Sequence, residues 1–375
     1  MVKESSLSNQ NQNIESANQI NDRIGEFLIG HLESYIFDEL SDDFLKKNGF
    51  FEILSGVPVP VRKDDMVNLS IKKICINMAF VIGCDANFRY RDNYIEFIKL
   101  NYGLDFGMYL VQEGVDVAEK NDFDYACIMF RAAFLINPEN VDAIYCYGRA
   151  CADAYQKGGT EAFVGAFKAE AIEAFEKTTL KRPDFKEGFY YLGYAYMNLG
   201  LYIKAKLTFE DFKVLAEKEF SELRDSDEQD AEKIEDFVSV IKEAEDWISQ
   251  LEEPVKIEEG YNMVMSGKYR EGIEILSQYT DREEYKTFWP MWYYLGVAYK
   301  EIDMQDMAEA AFISVLRVSP SNLYAMEELV HLYKNQGRSD MAEKYENKIA
   351  LVEENAEKDR ADSEEMKSQD NNNLS

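Results

Sequence analysis

The residues able to do chemistry are few and poorly placed. Only two histidines, His31 and His331, occur in 375 residues, 300 positions apart. That argues against multi-histidine metal sites of the HExxH kind. A cysteine nucleophile would need Cys84 or Cys127 beside one of these imidazoles, and no local pattern marks either. The five cysteines, Cys75, Cys84, Cys127, Cys146 and Cys151, form no CxxC pair. An odd count without that spacing fits buried reduced thiols better than disulfides or a zinc site. Asp225, Asp227, Glu228 and Asp230 would attract a cation. They lack the loop glycine and terminal bidentate glutamate of an EF-hand. There is no G-x-S-x-G, no phosphate loop and no strand-led G-x-G-x-x-G; Gly158-Gly159 is a turn. The expectation is no catalytic residue, no cofactor, no metal and no enzymatic activity.

Charge and composition narrow the partners. Forty-one basic against 71 acidic residues give a net charge of −30. Such a chain is repelled by phosphate backbones and anionic membrane surfaces, so neither nucleic acid nor membrane is expected as a partner. The apolar fraction of 46% is ample for a core, while 20 glycines and 7 prolines are too few for a β-sandwich. No stretch approaches the roughly 18 to 20 apolar residues that cross a bilayer, and the polar start lacks a secretory pattern. The chain is expected to be cytoplasmic.

A repeat organises the elements. Trp292-Tyr-Tyr-Leu295-Gly296-Val-Ala-Tyr299 reads W-x2-L-G-x2-Y, followed by Ala308, Phe312 and Pro320. The frame recurs at 107–140 (Gly114, Ala126, Phe130, Ala133, Pro138) and at 186–219 (Leu192, Gly193, Tyr196, Gly200, Ala205, Phe209). Weaker copies lie at 253–286 (Gly260, Gly267, Tyr269, Leu276) and 323–356 (Leu329, Tyr333, Gly337, Ala342). Between the strong copies, Tyr147-Gly148 and Ala171, Phe175 and Pro183 outline one more, with eleven extra residues around Gln156–Thr160. These ordered coincidences within a repeat of about 34 residues resemble the tetratricopeptide repeat. Each copy predicts two antiparallel helices, with small residues where they touch and large ones between copies. No copy buries its apolar face alone, so several must stack.

The resemblance covers residues 107–356 and implies an all-α, right-handed tetratricopeptide solenoid of five to six repeats. Residues 22–106 are expected as an N-terminal helical region, with 56–62 extended by its two prolines. Residues 1–21 and 357–375 are polar and expected to be disordered. Residues 217–253 break the pattern. Fifteen acidic and four basic residues there (4 − 15 = −11) suggest one long acidic helix, preceded by an exposed loop at Arg224–Asp230, with Ile234, Phe237, Ile241, Ala244, Ile248 and Leu251 as its apolar stripe.

Proteins of this family bind peptides or partner proteins in a concave groove lined by first-helix positions 2, 5, 9, 12 and 13. Here those positions include Tyr145, Arg149, Tyr190, Tyr194, Met197, Asn198, Tyr261 and Tyr293, with Lys300, His331 and Lys334. Val111, Val115 and Glu187 stand where one subclass carries its carboxylate clamp for chaperone tails, so that clamp is absent. Tyrosine offers apolar area and a polar tip, which suits peptide recognition. The function expected is a non-enzymatic scaffold for a protein or peptide. The alternative is an acidic mimic of nucleic acid that sequesters a basic protein, and salt sensitivity separates the two.

Overall fold

The computed structural model describes residues 20–63, 69–225 and 231–373. Asp227, Glu228 and Asp230 lie outside the described residues, as does most of the 1–21 segment. The chain divides into two compact units, up to Trp247 and from Ile248 onward.

In the first unit, β1 (Tyr35–Glu39) and β2 (Pro58–Arg62) pair antiparallel, Phe37 opposite Pro60. Prolines 58 and 60 cannot donate to a ladder, which suits a two-stranded ribbon. The stretch expected to be extended has thus found a partner strand. The ribbon is held by α1 (Ile71–Cys84) and α2 (Arg91–Tyr102). Asn77 Nδ2 donates to the Pro60 carbonyl at 3.1 Å, and the Tyr94 hydroxyl donates to the Pro58 carbonyl.

Three helix pairs follow: α3 (Phe106–Ala118) with α4 (Phe123–Ile136), α5 (Val141–Gln156) with α6 (Glu161–Lys181), and α7 (Lys186–Asn198) with α8 (Tyr202–Asp225). The N-terminal region packs on the first pair through α1 against α4. Asp22 also forms an ion pair with the buried Arg131 of α4. The eleven extra residues lengthen the turn and α6. Thr160 caps α6 by accepting from the Phe163 amide, and the added Phe163 and Phe167 pack against Phe27. The acidic segment 217–253 divides around the expected loop, of which residues 226–230 lie outside the described residues. Residues 217–225 finish α8, and α9 (Ala231–Gln250) follows without a partner helix of its own, packed on α7 and α8. The apolar stripe of α8 includes Phe212 and Ala216, which are buried, and the helix itself runs past 219 to Asp225.

The second unit repeats the plan with α10 (Glu252–Met265) and α11 (Tyr269–Leu276), α12 (Trp289–Glu301) and α13 (Gln305–Val318), and α14 (Leu323–Asn335) and α15 (Ser339–Asn373). The last helix runs through 357–373, the segment whose polarity suggests a tail. Leu295, Ala308, Phe312, Leu329 and Tyr333 form the core of the later pairs.

Two features fix the repeat register. The fifteenth place of each of five copies has a positive φ: Asn121 62°, Gly200 73°, Gly267 77°, Asp303 61° and Gly337 71°. Left-handed backbone is tolerated by glycine, asparagine and aspartate, so the tight turn needs those types there. The second is close approach. A Cβ on Gly193 would stand 2.7 Å from Phe209 Cε1, and one on Gly296 would stand 2.6 Å from Phe312 Cε1. The glycines let the partner phenylalanines lie flat between paired helices.

Candidate functional site

First-helix faces of the first unit carry a cavity of about 310 Å³. Val115 and Ala118 from α3, Phe123 and Phe130 from α4, and Tyr145, Cys146, Arg149 and Asp153 from α5 line it. Tyr145, Arg149 and Asp153 share one stripe of α5 because residues four apart are neighbours on a helix. Arg149 Nη1 donates to the Tyr145 hydroxyl at 3.4 Å, and its guanidinium lies 4.1 Å from the centre of the Tyr191 ring. Among the described residues Arg149 has no carboxylate within 4 Å; Asp153, one turn further along α5, is near enough for its charge to favour the guanidinium. Burial opposes its charge, but the Tyr145 hydrogen bond and the nearby Tyr191, Tyr145 and Asp153 outweigh that effect. Burial pushes the Tyr145 hydroxyl up to about 12 and the Cys146 thiol up to about 11. The site therefore combines an apolar floor, a phenol and one oriented cation.

Tyr190 and Tyr194 of α7 are half-buried and turned toward α9. Their hydroxyls donate to Glu243 Oε1 at 3.2 and 2.6 Å, and Trp247 Nε1 donates to the same oxygen at 3.4 Å. The Trp247 ring stands edge-on to Tyr194 at 5.5 Å. Burial, then the bonds to Glu243, raise the Tyr194 hydroxyl above its ordinary range. Tyr145 and Tyr190 meet only through Tyr191, at 6.0 and 5.2 Å between ring centres. Met197 is half-buried near the end of α7. Asn198 is exposed, and its carbonyl accepts from Lys168 of α6 at 2.9 Å.

Tyr261 and Tyr293 belong to the second unit. Tyr261 stacks on Tyr294 at 5.0 Å, and Tyr293 rests on the buried Phe312 at 5.9 Å. Tyr191 and Tyr294 were not expected from the groove positions. Both occupy the sixth place of their copies, so a tyrosine recurring there was the available signal. Glu243 and Trp247 had no comparable signal, because no repeat frame places α9.

The thiols weighed as nucleophiles offer little. Cys84 and Cys127 are fully buried, and burial raises both well above the ordinary thiol range. Cys127 Sγ lies 3.6 Å from Cys151 Sγ. Among the described residues no cluster of histidine, cysteine, aspartate or glutamate could hold a metal ion, and no helix is long and apolar enough to cross a membrane.

Helix pairs with left-handed turns at one fixed place, and phenylalanines against glycines, define a tetratricopeptide-type architecture. Among solved structures, a MamA protein is 16% identical, with 68% of this chain and 95% of that chain covered and a TM-score of 0.25. YrrB, described as a TPR protein with an unusual peptide-binding site, is 15% identical, covering 62% of this chain and 96% of that one at a TM-score of 0.28. At these scores the likeness carries nothing about what this chain binds. No family model and no curated protein matches the sequence.

Proposed function

We propose that the chain is a non-enzymatic scaffold that binds a peptide segment of a partner protein, and that the first unit receives it in the cavity between α3, α4 and α5. The observation that carries this reading is Arg149. Its guanidinium is held by Tyr145 and Tyr191, lines the cavity and has no carboxylate within 4 Å. A half-buried, oriented arginine beside aromatic rings is the type of anchor on which binding energy concentrates. The segment would place an apolar side chain against Val115, Ala118 and Phe130, and a carboxylate or backbone carbonyl on Arg149. Tyr190 and Tyr194 form the neighbouring wall, with α9 across them, and take part only where α9 yields. Nucleic acid is not among the partners, since a net charge of −30 repels phosphate.

The test uses peptides selected from a random library on the full chain, then measured by fluorescence anisotropy. Tyr145→Ala with Arg149→Ala should weaken capture by about a hundredfold, as expected when two central anchors are lost. Leu180→Ala, at a residue 82% exposed on α6, should leave it unchanged. Equal binding by all three proteins would refute the site.

A further inference from the structure

The second unit carries a file of rings that the first-unit cavity does not explain. Tyr261 of α10 stacks on Tyr294 of α12 at 5.0 Å, Tyr294 meets Tyr293 at 5.5 Å, and Tyr293 meets Tyr324 of α14 at 6.3 Å. The rings come from the first helices of three consecutive pairs, so they cross the stack rather than follow one helix. Most are half-buried, but Tyr324 is 64% exposed, the most exposed aromatic ring among the described residues. The three steps put at most roughly 17 Å between the outer rings, about five residues of extended chain at ~3.4 Å each.

The charge around the file is one-sided. Lys300 of α12 is engaged by Glu328 at 2.8 Å and Glu301 at 3.6 Å, and Lys334 of α14 by Glu346 at 2.6 Å. Glu327 is exposed and has no ion-pair partner among the described residues. It lies three residues from Tyr324, on the same side of α14, and its charge reaches Tyr293. The ring faces and the unpaired carboxylate together attract a cation.

We propose that this file is a second binding site, and that its occupant is an extended protein segment carrying arginine or lysine between apolar residues. A guanidinium or ammonium group would cover the face of Tyr324 and reach Glu327, while apolar side chains would lie along Tyr293, Tyr294 and Tyr261. The proposal rests on the reading of first-helix faces as peptide-binding surfaces, and it adds a place and a charge for the partner.

The experiment measures anisotropy of a fluorescein-labelled nonapeptide of alternating leucine and arginine on the full chain near 0.15 M salt, roughly physiological. Counterparts carry glutamine or glutamate in place of arginine. The arginine peptide should bind about tenfold or more tightly than the glutamate peptide, and Tyr324→Ala should weaken it about tenfold. Glu327→Gln should weaken it several-fold. Glu343→Gln removes the same charge from an exposed place on α15 and should change nothing. Tyr324 is exposed, so its variant should keep the parent circular dichroism. Arginine and glutamate peptides bound equally, and both weakened by Tyr324→Ala, would overturn the basic partner while leaving the groove reading intact. Weakening by Glu343→Gln equal to that by Glu327→Gln would reduce the effect to diffuse attraction and overturn the site. Binding indifferent to Tyr324→Ala, or no binding at all, would also overturn it.

Discussion

Two glycines of the first unit should respond to the same substitution with opposite signs. Gly193→Ala places a methyl group 2.7 Å from Phe209 Cε1 and 2.9 Å from its Cδ1 and Cζ. Carbon atoms rest at about 3.5–4.0 Å, so the ring must withdraw by about 1 Å. It has little room, for Phe209 is fully buried with Tyr194 at 5.3 Å and Trp247 at 6.5 Å. Overpacking of this kind costs about 1–3 kcal/mol, against a gain of about 1 kcal/mol from helix propensity. The net expectation is a loss of about 1 kcal/mol. Gly165, inside α6, has no atom within 4 Å of its added Cβ. Gly165→Ala should therefore stabilise by about 0.5–1 kcal/mol. Both sites lie in one unit, so urea unfolding followed by circular dichroism compares them on the same transition. If Gly193→Ala stabilised as much as Gly165→Ala, the close approach of α7 to Phe209 would be wrong.

Three other outcomes follow from the same geometry. Glu243→Ala removes the acceptor shared by Tyr190, Tyr194 and Trp247 and should raise hydrogen exchange in α9, with α3 to α5 unchanged; unaltered exchange in α9 would show that this carboxylate does not hold it. Burial holds the hydroxyls of Tyr145 and Tyr109 up to about 12, so the neutral phenols are favoured in the folded state. Their contribution to stability is complete below about pH 10 and is lost as pH rises through about 12; ionisation of all 24 tyrosines near pH 10 without unfolding, followed at 295 nm by absorbance, would contradict this. Cys146 lines the cavity and is the one cysteine only half-buried, so iodoacetamide should modify it first, and bound peptide should protect it. Modification of Cys75 or Cys127 ahead of Cys146 would place the opening elsewhere.

Helix pairing was legible because its cause is local. The glycines, alanines and phenylalanines of each copy are there to let two backbones touch, and Asn121, Gly200, Gly267, Asp303 and Gly337 are there to let the chain turn. Even the weak copies at 253 and 323 keep that turn. In the acidic segment the stripe from Ile234 to Ile248 was legible as the helix α9, while the start of the segment was not, because α8 runs on past 219 to Asp225 with the half-buried Phe220 against Phe237 of α9. The covering of Tyr190 and Tyr194 was not legible at all. A carboxylate and an indole four residues apart on α9 look like an ordinary solvated helix face until the packing direction of α9 is known. The pairing of β1 with β2 likewise depends on a contact across more than twenty residues, which no local pattern encodes.

The cavity beside Arg149 is tested most directly by mapping where a bound peptide touches. A library-selected peptide carrying a benzophenone side chain, irradiated on the full chain and analysed by mass spectrometry, should cross-link to Val115, Ala118, Cys146 or Asp153. Cross-links confined to the outer face of α6, around the exposed Leu180, would contradict the site.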